Sequence, residues 1–253
     1  MLSKRHHELK ISYLKHRLKN MPQGYYGHHR GYRAIYLTYD PMDRRINNQH
    51  KRIIRLDSKQ GLLMQPIIEE AMKLQNELEN MEALWRQTYW VEPREITYPL
   101  RRVRQPAIDP EFFRNTQINA NAYKQETLKI TYKGQKFRTK NEMSAAQVVE
   151  AMGYEFKSEI HVASKQYDHY PDVTMLIPEL EMALMSEIDG AMERSNYKIK
   201  SIQRQYEYFE EQFREFKDIV FLRMVDSQVF DPEEYRSLIR FAIETNIDDI
   251  ILE

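Results

Sequence analysis

Three acidic residues stand where an ordered chain would bring them together. Glu142 opens an expected helix, Asp172 follows Pro171 at the head of an expected strand, and Glu187 lies near the end of the next strand, fifteen residues later. Two antiparallel strands joined by a turn set such carboxylates side by side at one end of a sheet. The chemistry that suits them is phosphodiester hydrolysis, which needs an activated water and a stabilised anionic transition state. A divalent ion supplies both. Mg²⁺ or Mn²⁺ takes hard oxygen ligands. Asp172, Glu187 and a backbone carbonyl, that of Ile188, leave room for a water and a phosphate oxygen, with Glu142 as a further metal ligand or a support.

Residue type alone leaves plainer readings open. The chain has 38 acidic residues. A Pro-Asp pair before a strand is a common turn device. Glu142 also suits the first turn of a helix, where the dipole favours negative charge. His6, His7 and Glu8 give half of a zinc-protease HExxH motif, but Ile11 stands where the second histidine belongs. His161 and His169, on either side of the acidic segment, read as surface histidines. Tyr25, Tyr26, Tyr32, Tyr36 and Tyr39, interleaved with Arg30 and Arg33, suit either base stacking or packing of a small hairpin.

The elements that must position these residues follow from periodicity. Residues 3–20 read as a basic amphipathic helix carrying Ile11, Leu14 and Leu18. Pro22, Gly24, Gly27 and Gly31 break the chain after it. Residues 33–39 and 52–56 read as two strands of a hairpin. A long helix then runs to about Trp90, with an apolar stripe through Ile67, Ile68, Ala71, Leu74, Leu78, Met81, Leu84 and Trp85. Pro66 either starts its main part or kinks it. That stripe, over 66–90, also suits a homodimer seam. A proline-rich connector over 92–121 carries Arg101, Arg102 and Arg104. The second half reads as strand (128–132), helix (141–152), strand (156–162), strand (173–177), strand (181–188), helix (196–214), strand (218–224) and helix (233–245). This predicts an α/β (α+β) fold with helices on a mixed sheet, divided into a basic region 1–121 and a second domain 122–253.

The totals narrow the function classes. Residues 1–120 carry 21 Lys and Arg against 13 Asp and Glu, and residues 121–253 carry 17 against 25. A basic half beside an acidic half suits a nucleic-acid enzyme, one part neutralising phosphates and the other gathering carboxylates. It equally suits two halves docking on each other. No cysteine is present, which excludes disulfides, thiolate metal sites and a cysteine nucleophile. No apolar run nears the roughly 18 residues of a membrane helix, and the first residues lack a secretory pattern, so a cytoplasmic location is expected. No glycine falls in a nucleotide-binding loop motif.

Residues 133–162, KGQKFRTKNEMSAAQVVEAMGYEFKSEIHV, resemble the opening of a bacterial PD-(D/E)XK-like family. Arg138, Lys140 and Glu142 match its first conserved element and Glu159 the glutamate of the following strand. YPDVT (170–174) looks like the family's PD element, setting Asp172 on the motif aspartate. SEIDGAMERSNY (186–197) looks like its next element, setting Glu187 on the motif glutamate. The resemblance covers about 115 residues, 128–245. It implies a restriction-endonuclease-like fold and Mg²⁺- or Mn²⁺-dependent cleavage of DNA, with Arg138 and the 101–104 arginines on the nucleic acid. The family's basic or histidine residue beside the motif glutamate is missing: Ile188 and Asp189 stand there. Either Lys140 or Arg204 has taken over its role, or the domain binds nucleic acid or a protein partner without cutting.

Overall fold

The computed structural model describes residues 3–98, 100, 110–121, 127–163, 168–189, 199–200, 202–203, 206–207, 219–225 and 230–251. The chain divides into two compact units, Met1–Pro99 and Leu100–Glu253. The second unit thus takes in residues 110–121, expected in the N-terminal region. The reason lies in backbone pairing: Asn119 and Ala120 donate to the carbonyls of Ser158 and Glu159, each at 2.9 Å.

In the first unit, α1 (Lys4–Lys19) is capped by Ser3, whose hydroxyl accepts from His6 N at 3.1 Å. Its Ile11, Leu14 and Leu18 pack on Ala71, Leu78 and Trp85 of α2 (Lys59–Thr88). Lys10–Glu77 (3.1 Å) and Lys15–Glu82 (2.9 Å) rim this seam. The apolar stripe of α2 is therefore covered by α1 of the same chain. Ala71, Leu78 and Trp85, in the middle of the homodimer seam expected over 66–90, are thereby buried within one chain, while Leu84 of that stripe stays 38% exposed. Pro66 lies inside α2, which begins seven residues earlier behind the Ser58 cap. His6 and His7 are buried, and the ring of His7 meets Trp85 edge-on and hydrogen-bonds Met81 O at 2.9 Å.

The glycine-rich break after α1 is in fact a strand. β1 (Gln23–His29), β2 (Tyr32–Tyr39) and β3 (Arg52–Arg55) form an antiparallel sheet in that order. Arg30 and Gly31, at φ 46° and 86°, make the two-residue turn between β1 and β2. Gly27 sits in mid-strand because the Tyr36 ring lies over it, and a Cβ there would come within 2.8 Å of that ring. One sheet face packs Ile35, Leu37 and Ile54 on Ile68 of α2.

The second unit is a mixed α+β structure. β4 (Ile130–Tyr132) and β5 (Gln135–Phe137) form a hairpin turned by Lys133 and Gly134, both at positive φ. α3 (Pro110–Asn115) precedes this hairpin and α4 (Lys140–Ala151) follows it. The main sheet has the order β11-β10-β9-β6, from β6 (Phe156–Lys157), β9 (Val173–Ile177), β10 (Met182–Asp189) and β11 (Ile219–Val225). β10 runs parallel to β11 and antiparallel to β9. The strand expected over 156–162 is interrupted: β7 (Val162–Ala163) leaves β6 to pair with β8 (Asp168–His169). The break falls at Glu159, which takes a left-handed conformation at φ 44°. The last helix, α5 (Pro232–Ile251), is longer than expected. The helix expected over 196–214 lies largely outside the described residues.

Period-2 alternation sorts the sheet's two faces. Leu176, Ala183 and Met185 face Phe113, Ile160 and Val162. On the other face the Ser186 hydroxyl is hydrogen-bonded to Tyr235 OH of α5 at 2.6 Å, fully buried.

Candidate functional site: buried carboxylates around Arg138

The β9–β10 ladder ends with Val173 opposite Ser186. One residue further, the register sets Asp172 opposite Glu187, so both side chains leave the same face at the same end of the sheet. Two residues further it sets Ile188 opposite Pro171, which has no N–H to give to the ladder. The N–H of Ile188 donates instead to Asp172 Oδ2 at 2.8 Å. Its carbonyl, on the same strand edge, has only a proline across from it.

Glu142 arrives from α4. Thr139 caps that helix by accepting from Glu142 N at 3.2 Å, and Glu142 Oε2 accepts from Arg138 N at 2.8 Å. The pattern is close to a capping box. The plain helix-terminus reading of Glu142 therefore holds, but only for one of its oxygens. The cap also fixes where Arg138 must lie: one residue before Thr139, with its guanidinium directed toward the sheet end. Its Nη2 donates to Asp172 Oδ1 at 2.8 Å and pairs with Glu159 Oε1 at 2.5 Å. Among the described residues its buried Nε has no hydrogen-bond partner.

Glu142, Glu159, Asp172 and Glu187 are all at least nine-tenths buried. Burial works against the charged guanidinium of Arg138, but the fields of Asp172, Glu142, Glu159 and Glu187 outweigh it and hold its pKa above the ordinary value. Burial, and then the nearby Asp172 carboxylate, push Glu142 up to about 7 against the opposing pull of Arg138. The charges of four buried acids thus fall on the Arg138 guanidinium, and one of them holds its proton almost to neutrality.

The sequence-derived candidates sort as follows. Glu142 and Asp172 both bond to Arg138, and the charge of Glu187 falls on the same group. Among the described residues, no three of His, Asp and Glu stand close enough to hold an ion together as arranged; Arg138 stands between them. Lys140 is exposed in the first turn of α4 and bonds to none of the four acids. Arg204 and the Arg101, Arg102 and Arg104 cluster lie outside the described residues, as does the side chain of Asp189. Arg138, expected on nucleic acid, is instead an internal counter-ion. Glu159 belongs to the site as a fourth acid. His169 is buried rather than a surface histidine, and the exposed His161 pairs with Asp168 at 2.7 Å.

By type these residues are the hard oxygen donors that a divalent cation such as Mg²⁺ takes, and they are buried, but as arranged no three of them are close enough together to hold one. No helix among the described residues is long and apolar enough to cross a membrane. No family model, curated protein or solved structure matches the chain.

Proposed function

We propose that the second unit is a restriction-endonuclease-like, PD-(D/E)XK-type domain that hydrolyses DNA phosphodiesters with Mg²⁺ or Mn²⁺. The observation that carries this reading is the convergence of buried Glu142, Glu159, Asp172 and Glu187 on Arg138 at one end of the sheet. Asp172, Glu187 and the Ile188 carbonyl would hold the ion, with Glu142 beside them. When bound, the ion supplies Lewis-acid chemistry: a more acidic water and a neutralised phosphate. The protein's own part is to keep the donors dry and oriented. Ile188 N–H fixes the Asp172 carboxylate, and the Thr139 cap fixes Glu142. Displaced from the carboxylates, Arg138 would remain a cation beside the reacting phosphate, the duty for which either Lys140 or Arg204 was expected.

The test is incubation of the purified protein with single- and double-stranded DNA and Mn²⁺. Cleavage that Asp172→Ala abolishes supports the reading; cleavage unchanged in that variant rejects it.

A second reading rests on Arg138 itself. A guanidinium bonded to Asp172 and Glu159 can be a permanent replacement for the ion, with Ile188 and Asp189 marking lost chemistry. The domain would then bind nucleic acid or a protein partner without turnover, and no substrate would be cut with any divalent ion.

A further inference from the structure

The outer face of the β1–β2–β3 sheet, opposite the one packed on α2, is an aromatic platform with cations around it. Register and alternation place Tyr25, Tyr36 and Ile53 in one cross-strand row, and His29 and Tyr32 in another. The rings of Tyr25 and Tyr36 stack with centroids 5.2 Å apart and planes within 5°. Gly27 makes this possible by leaving space for the Tyr36 ring, and Tyr36 OH is tied down by donating to His28 O at 2.8 Å. Lys51 Nζ lies 5.2 Å above the Tyr25 ring, and the Arg55 guanidinium 5.3 Å from that of Tyr32. Tyr25 is 42% exposed and Ile53 38%.

The charge on this sheet has one sign. The three strands carry no Asp or Glu; Arg55 and the adjacent Lys51 lie on the platform face, Arg30 is in the turn, and Arg33 and Arg52 alternate onto the α2 side. Asp57 pairs with Arg55, but Arg30, Arg33 and Lys51 have no acidic partner among the described residues. Past Thr38, at the end of the platform, a shallow polar cleft of about 380 Å³ is lined by Lys19, Gln23, Thr38, Tyr39, Asn47 and Asn48.

We infer that this face binds single-stranded nucleic acid, with unpaired bases stacking on Tyr25 and the Tyr36 edge while Lys51 and the turn residue Arg30 meet the phosphates. Flat rings on a sheet whose strands carry cations and no carboxylate suit a ligand that offers a π-face and a negative backbone together. A duplex hides its base faces and would gain only the phosphate contacts. This inference does not depend on cleavage by the second unit.

The experiment is fluorescence anisotropy of the full chain in EDTA, which removes any metal-dependent cutting, with a labelled oligothymidylate, its RNA counterpart and a duplex. Single strands of either sugar should bind at least about tenfold tighter than the duplex, with affinity falling steeply as salt rises. Tyr25→Ala, a change at an exposed position, should weaken single-strand binding by about 5- to 100-fold and leave duplex binding unchanged. Lys51→Glu should weaken single-strand binding too, while Tyr36→Phe should keep it. Equal or tighter duplex binding, or a Tyr25→Ala protein that binds single strands as the wild type does, overturns the inference. So does a concentration-dependent dimer, seen by sedimentation, that Tyr25→Ala dissolves.

Discussion

Arg138 Nη2 donates to Asp172 Oδ1 at 2.8 Å, while the other oxygen of the same carboxylate accepts the N–H of Ile188. One carboxylate thus ties the end of β10 to the residue before the α4 cap. The bond holds the guanidinium among four buried acids, and most of what the second unit is expected to do follows from that arrangement.

Removing the guanidinium leaves buried carboxylates uncompensated. Arg138→Met should cost about 3–5 kcal/mol at neutral pH. Without the cation the folded-state pKa values of the acids rise above their unfolded values. The stability of the variant is then fully present at low pH and lost as pH rises through the raised values. Thermal unfolding followed across pH should show the deficit shrinking in acid. Added Mn²⁺ should raise the melting temperature of Arg138→Met more than that of the wild type.

Glu142 has a pKa raised to about 7 in the fold. For an acid this direction means that stability is present below its unfolded value and lost as pH rises through about 7. Glu142→Gln keeps an oxygen to accept Arg138 N and cannot ionise. It should stabilise the protein by roughly 1–3 kcal/mol above neutrality and flatten the pH dependence there, as urea unfolding on both sides of neutrality would show. A variant less stable than the wild type on the alkaline side would contradict the assignment.

The Ser186–Tyr235 hydrogen bond joins the sheet to α5 in a fully buried setting. Tyr235→Phe should cost about 1–3 kcal/mol because the Ser186 hydroxyl is left without its partner. Ser186→Ala made on top of Tyr235→Phe should restore part of that loss, and a double-mutant cycle from denaturant melts measures the coupling.

Much of this site was legible in the sequence. Asp172, Glu187 and Glu142 could be placed because period-2 strands and a capped helix start leave clear local marks. Arg138 was harder to read, because its role is set by a tertiary contact. The Thr139 cap was the signal that its side chain must lie near Glu142. Glu159 was matched to the family's strand glutamate but not placed among the site acids, because a buried left-handed glutamate has no local signature, and its break in 156–162 escaped for the same reason. β1 was read as a loop because glycine marks turns in general, whereas Gly27 is there to seat the Tyr36 ring. The α2 stripe was read correctly as apolar, but periodicity does not say which helix covers it.

Leu14 packs on α2 in the first unit. Leu14→Ala should destabilise that unit by about 2–5 kcal/mol. With the α2 stripe covered within one chain, the wild type should show no α2-mediated dimer by sedimentation; a dimer dissolved by Leu78→Lys in an otherwise folded protein would contradict this.

The most direct measurement is Mn²⁺ binding by isothermal titration calorimetry on the wild type, Asp172→Ala and Arg138→Met, without nucleic acid. Saturable uptake by the wild type, lost in Asp172→Ala and tightened in Arg138→Met, is the predicted result. No uptake by the wild type and none by Arg138→Met, or uptake indifferent to Asp172, would contradict a metal pocket in which Arg138 is the resident cation.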